Sequence, residues 1–153
     1  MDRPMAKAML VICKGLPGSG KTTWARGVQA SVGCVRVNRD ELRRMFIGHR
    51  SWTREDEDLV VRLRDHAISV ALRDGRDVIS DDMNLDPKHM ERFKTLVELH
   101  SQIKVNDSFL RVPLEECIAR QAQRPALERV PEHVIRALHD RWVVTEPTPG
   151  EST

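Results

Sequence analysis

Apolar and polar positions repeat on two different periods along this chain. Short apolar runs at Met9–Cys13, Cys34–Val37, Asp77–Ser80 and about Ile103–Leu110 read as strands, each followed by polar sequence with a helical repeat. Strands alternating with helices predict a parallel sheet covered by helices. The clearest helix starts at Thr53, where Asp56 three residues on completes a capping box. Leu59, Leu63, Ala67 and Val70 are expected on one face of it, and Gly75 to stop it. Asp86-Pro87, Val112-Pro113 and Val130-Pro131 each put proline where a first helical turn accepts it. The terminal TEPTPGEST has no apolar period. Residues 1–145 are therefore expected to form one domain and residues 146–153 a flexible tail; no internal repeat interrupts this plan.

Composition narrows the class without changing the plan. With 153 residues, 40% hydrophobic, 31% charged and a formal net charge of +2, the chain is expected to be a single soluble domain. The run Met9–Cys13 is far shorter than the roughly 20 residues of a membrane span and no cleavage site follows it, so no export signal or membrane contact is expected. Three cysteines, Cys13, Cys34 and Cys117, form no C-x-x-C pair. Neither a disulfide framework nor a zinc site is implied, and a reducing cytoplasm fits. Arginine outnumbers lysine 19 to 6, and guanidinium is the side chain that grips phosphate oxygens in pairs.

Four stretches carry candidate chemistry. In GLPGSGKTT, the residues Gly15, Gly20, Lys21 and Thr22 satisfy G-x-x-x-x-G-K-[ST] between a strand and a helix, which is the context that motif requires. The loop from Gly15 through Pro17, Gly18, Ser19 and Gly20 to Thr23 can wrap a phosphate with its backbone N–H groups, Pro17 having none. Lys21 can bridge phosphates and the Thr22 hydroxyl can ligate Mg²⁺. A nucleoside triphosphate is the expected ligand. The N-K-x-D of a guanine-specific switch is absent and the chain is short for a motor, which leaves a small phosphotransferase in front.

In VNRDELRR, Asp40 falls just beyond the second strand, at the edge where open α/β sheets bind ligands. It can accept a proton from an attacking hydroxyl, with Arg43 one turn on to hold an acceptor phosphate, or the two can be a helix cap and a solvated arginine. In VISDDMNLDP, Asp81 or Asp82 is expected to face the metal, or both to serve the loop before Pro87. In RQAQRPALERVP, Arg120 and Arg124 are four apart, expected on one helix face of a lid before Pro125. A lid arginine can neutralise charge on a transferred phosphoryl group.

Together these stretches resemble the kinase domain of bacteriophage-type 5′-hydroxyl polynucleotide kinases, whose signatures are similar to GxPGSGKTTWA, NRDxxR, ISDxNL and an arginine-rich lid before VP. The resemblance runs from about Met9 to Trp142. It implies a P-loop NTPase fold, with a central parallel sheet of about four strands, flanking helices and a helical lid. It also implies ATP or another nucleoside triphosphate as donor, and Mg²⁺ or Mn²⁺. On this resemblance Lys21 and Thr22 serve the phosphates and metal, and Asp40 is general base. Arg43, with Arg39 beside it, takes the acceptor, Arg124 the transferred phosphate, and Arg120 and Val130 the nucleotide base. Aligning Asn84 and Leu85 makes Asp82 the family aspartate, while Ser80-Asp81 mimics the same dipeptide one residue earlier. The implied partners are 5′-OH ends of RNA or DNA. Relatives form oligomers; here a stand-alone kinase working with a separate phosphatase and ligase is expected. Arg36, Arg39, Arg43, Arg44 and Arg50 would line a strand channel. A kinase for a nucleoside, nucleotide or antibiotic, and a non-catalytic ATP-binding module, remain the alternatives.

Overall fold

Four short apolar runs pair in parallel, and parallel pairing demands a crossover between successive strands. In the computed structural model, which describes residues 7–48, 52–97 and 101–144, these strands are β1 (Ala8–Cys13), β2 (Val35–Val37), β3 (Val78–Ser80) and β4 (Ser101–Asn106), in the order β2-β3-β1-β4. The register places Val35, Val78, Leu10 and Ile103 in one row across the sheet. The carboxyl ends, Val37, Ser80, Cys13 and Asn106, consequently share one rim. Every chemical stretch identified above, the lid excepted, leaves from that rim.

Helices α1 (Lys21–Val32), α2 (Arg39–Phe46), α3 (Arg54–Arg73) and α4 (Pro87–Leu96) occupy the crossovers. On one sheet face Leu10, Ile12, Val37 and Val78 bury against Ile68, Ala71 and Leu72 of α3 and Phe93 of α4. On the other, Ile79 and Cys13 pack with Ala25 and Phe109, and Trp24 meets Phe109 edge-on at 5.8 Å between ring centroids. A third cluster, Leu16, Leu85 and Cys117 with Leu114, Leu138 and Trp142, fastens α5 (Leu114–Ala122) and α6 (Glu132–Trp142) to the loop after β1.

The capping box forms as expected: the Asp56 N–H donates to Thr53 Oγ1 at 3.1 Å and the Thr53 N–H to Asp56 Oδ2 at 3.0 Å. The buried face of α3 differs from the expected one. Leu59 and Val70 are exposed, and the stripe that faces the sheet is Val60, Arg64, Ile68, Ala71 and Leu72. Arg64 hides that stripe from an apolar count. It is fully buried, stacks 4.7 Å from the centroid of Phe93, and donates from Nε and Nη2 to Asp65 Oδ1 at 3.1 and 2.9 Å. The fourth strand also stops sooner than expected, because Asn106 Oδ1 accepts from both the N–H and the hydroxyl of Ser108. A 3₁₀ turn, Ser108–Arg111, replaces the strand's predicted end. The expected tail and Arg50 lie outside the described residues.

All three cysteines are free and buried, which raises their thiol pKa values, Cys13 to about 12. Among the described residues no helix is long and apolar enough to cross a membrane.

Candidate active site

The loop between β1 and α1 is held in shape from outside. Gly18 has φ +83°, and a Cβ there would lie 2.4 Å from the Cys117 carbonyl oxygen of α5, so only glycine lets the two backbones approach. Gly20, at φ +98°, opens α1 in a left-handed turn. Lys21 is buried, and its Nζ donates to the carbonyls of Gly15 (2.9 Å) and Leu16 (2.6 Å) and to Ser19 Oγ (3.3 Å). Burial pulls its pKa down to about 8, against the pull of Asp81. The ammonium is parked on its own loop, within reach of whatever anion the N–H groups collect.

The two aspartates after β3 part company. Thr22 Oγ1 donates to Asp81 Oδ1 at 3.3 Å. Arg36 Nε donates to Asp81 Oδ2 at 2.8 Å, and the same guanidinium holds Glu41 through two bonds of 2.9 and 3.0 Å. The Asp81 backbone is fixed as well, its N–H donating to the Val37 carbonyl and its own carbonyl accepting from Asn38 Nδ2. Asp82, one residue on, points elsewhere: its Oδ1 accepts the Arg39 N–H at 2.9 Å and its Oδ2 lies 3.5 Å from Arg39 Nε. Burial pushes the Asp82 pKa up to about 6. Of the two candidates it is therefore Asp81 that meets the Thr22 hydroxyl. Asn84, at φ +48°, turns the chain after this pair, its Nδ2 bonded to the Cys13 carbonyl and Ser80 Oγ.

Those donors fit the metal that the loop implies. A hydroxyl and a carboxylate oxygen beside a phosphate cradle suit a hard cation. Among the described residues no three His, Cys, Asp or Glu side chains gather, so phosphate oxygens and water would complete the shell, as Mg²⁺ prefers.

The residues expected to serve the acceptor lie on α2. Asn38 caps it, accepting the Glu41 N–H at 2.9 Å, which leaves Asp40 exposed in the first turn with its side chain 64% accessible. Arg43, one turn on, is buried. It bonds Asp40 Oδ1 from one nitrogen and both oxygens of Glu57 from the others, and lies 4.5 Å from the centroid of Trp52. Of the arginines expected to line an open channel, Arg36, Arg39 and Arg43 are instead each sequestered against carboxylates.

The lid arginines also separate. Arg120 closes α5 and reaches back to the cradle, Nη1 donating to the Gly18 carbonyl at 3.3 Å. Helix α5 ends at Ala122, so Arg124 does not share its face; it lies beyond the helix end, 3.5 Å from Glu128. The Val130 N–H donates to the buried Gln121 Oε1 at 3.0 Å. Arg36, Arg64, Gln121 and Trp52 were not singled out by their own roles in the sequence. An arginine inside the three-residue strand β2 was the one available signal, since such a residue must find a carboxylate at the rim.

A family model described as an AAA domain matches residues 10–144. The chain belongs to that family. Its fold is that of P-loop kinases, as solved structures also show. A chain of the Pnkp1/Rnl/Hen1 RNA repair complex is 25% identical with a TM-score of 0.74, over 93% of this chain and 46% of that one. The APS kinase CysC of Mycobacterium tuberculosis is 19% identical (TM-score 0.58; 76% and 70% covered). A gluconokinase of Sinorhizobium meliloti 1021 is 17% identical (TM-score 0.56; 97% and 80% covered). The chain thus spans less than half the length of the repair-complex chain.

Proposed function

We propose that this P-loop kinase transfers the γ-phosphate of ATP, or of another nucleoside triphosphate, to the 5′-hydroxyl end of RNA or DNA. The observation that carries the reading is the pair Asp40–Arg43. An accessible carboxylate stands at the strand rim with a guanidinium one turn further along the same helix, on the rim that also holds Thr22 and Asp81. A 5′-hydroxyl with a phosphate on its own 3′ side presents both complementary groups. The likeness to a chain of an RNA repair complex supports the same acceptor.

The hydroxyl oxygen attacks the γ-phosphorus, its proton passes to Asp40, and the bond to the β-phosphate oxygen breaks to release ADP. Lys21 leaves its carbonyl partners for the phosphates, and Arg120, already bonded to the Gly18 carbonyl, is near enough to the cradle to join it. Arg124 reaches the transferred group if the turn around Pro125 moves inward. Mg²⁺, when bound by Thr22 with Asp81 behind it, would offset charge on the phosphate oxygens. Residues 1–145 act as one kinase domain on this reading, and an enzyme removing 3′-phosphates and a ligase would act on the same ends.

The test offers γ-labelled ATP and Mg²⁺ with a 5′-OH oligonucleotide, its 5′-phosphorylated twin, a nucleoside 3′-phosphate and a free nucleoside. Transfer to the 5′-OH strand and not to its twin is expected, with most turnover lost in Asp40→Asn while nucleotide binding stays. Transfer to the free nucleoside alone would overturn the reading in favour of a metabolite kinase, and transfer to none in favour of a binding module.

A further inference from the structure

Six aromatic side chains occur in the chain, and four of them, Trp24, Phe93, Phe109 and Trp142, are at least half-buried. The two exposed ones, Phe46 (55%) and Trp52 (48%), lie six positions apart just after the residues that begin the acceptor side, with Met45 (76%) beside them. Asp40, Arg43 and Phe46 recur every three residues on α2, and Trp52 stacks on the Arg43 guanidinium at 4.5 Å. Moving outward from the proton acceptor, the order is carboxylate, guanidinium, indole. That order matches a nucleic-acid strand entered from its 5′ end, which presents hydroxyl, phosphate and then the next base. An exposed aromatic beside a phosphate-binding arginine offers a stacking surface for a base, because every base presents a π-face.

We infer that Trp52 is a stacking platform for the base of the second nucleotide of the acceptor strand, held in place by Arg43. This rests on the polynucleotide reading above and adds a binding residue that the motif signatures do not contain. Arg43 fixes the indole from one side through the cation–π contact, while Glu57 and Asp40 fix Arg43, so the platform is set before the strand arrives.

The experiment compares KM for a 5′-OH pentanucleotide with KM for the same strand abasic at its second position, in wild type, Trp52→Ala and Trp52→Phe. Loss of the base should raise the wild-type KM about 5- to 100-fold at similar kcat, the range of one stacked base. Trp52→Ala should show the raised KM for the intact strand and no further rise for the abasic one. Trp52→Phe should restore the difference, and KM for a nucleoside 3′-phosphate should be unchanged in all three. An abasic penalty that persists in Trp52→Ala overturns the inference. So does an equal KM rise for the nucleoside 3′-phosphate, which would make Trp52 a support for Arg43 alone. Wild-type protein that labels no 5′-OH strand would defeat the polynucleotide reading itself and this inference with it.

Discussion

Nucleotide binding should draw a proton from solution at alkaline pH, and Lys21 is the group that takes it. In the free protein burial pulls the Lys21 pKa to about 8, while the parked ammonium keeps three oxygen partners of its own loop. A triphosphate adds several negative charges next to it and restores a pKa near the usual lysine value of about 10.4. With a free-state pKa of about 8, roughly a tenth of the lysines are neutral at pH 7, half at pH 8 and about nine-tenths at pH 9. Binding should therefore take up about 0.5 proton at pH 8 and about 0.9 at pH 9. The terminal phosphate itself loses its last proton near pH 6 and contributes little there. Calorimetric titration of ATP in buffers of different ionisation enthalpy reads the uptake directly. Lys21→Arg is the control, because a guanidinium stays charged and should bind with no uptake. Equal binding enthalpies in all buffers at pH 9, or the same uptake in Lys21→Arg, would refute the argument. The same shift has a sign for stability. Between about 8 and the unfolded value of 10.5 the unfolded chain holds more protons than the folded one. The Lys21 cost is present in full below pH 8 and is relieved as pH rises through that window.

Two further outcomes follow from packing. Gly18→Ala would put a methyl 2.4 Å from the Cys117 carbonyl oxygen at φ +83°, so it should cost about 1–3 kcal/mol in chemical denaturation and weaken nucleotide binding at least tenfold; normal affinity for a fluorescent ATP analogue would contradict the close approach. Arg64→Met keeps the volume but leaves Asp65 with Arg92 as its remaining ion-pair partner, and should lower stability by about 3 kcal/mol, or roughly 6–12 °C in Tm; an unchanged melting curve would mean the buried guanidinium is held by packing alone.

The donor side was legible in the sequence because one short motif dictates strand, turn and helix together, and because its chemistry is done largely by backbone atoms. Asp40 and Arg43 were legible for a related reason: three residues on a helix is one turn, whatever surrounds it. The aspartate pair was not, since Asp81 and Asp82 differ by one position, and which carboxylate meets Thr22 depends on Arg36 and on the left-handed turn at Asn84. Periodicity misplaced the buried face of α3 because Arg64 counts as polar although it is wholly enclosed. Arg124 does not share the face of Arg120, because it precedes Pro125 and the residue before proline is pushed away from helical geometry. The arginine cluster on α2 was visible, but its pairing with Asp82, Glu57 and Asp40 belongs to three dimensions.

Lys21 rests on the carbonyls of Gly15 and Leu16, and the loop is braced by the Cys117 carbonyl and the Gly18 carbonyl's bond to Arg120. Half of the site is thus written in main chain, while the half on α2 and Trp52 is written in side chains. A change confined to α2 and Trp52 would leave that main-chain cradle in place, on a fold also found in a gluconokinase, an APS kinase and a chain of an RNA repair complex.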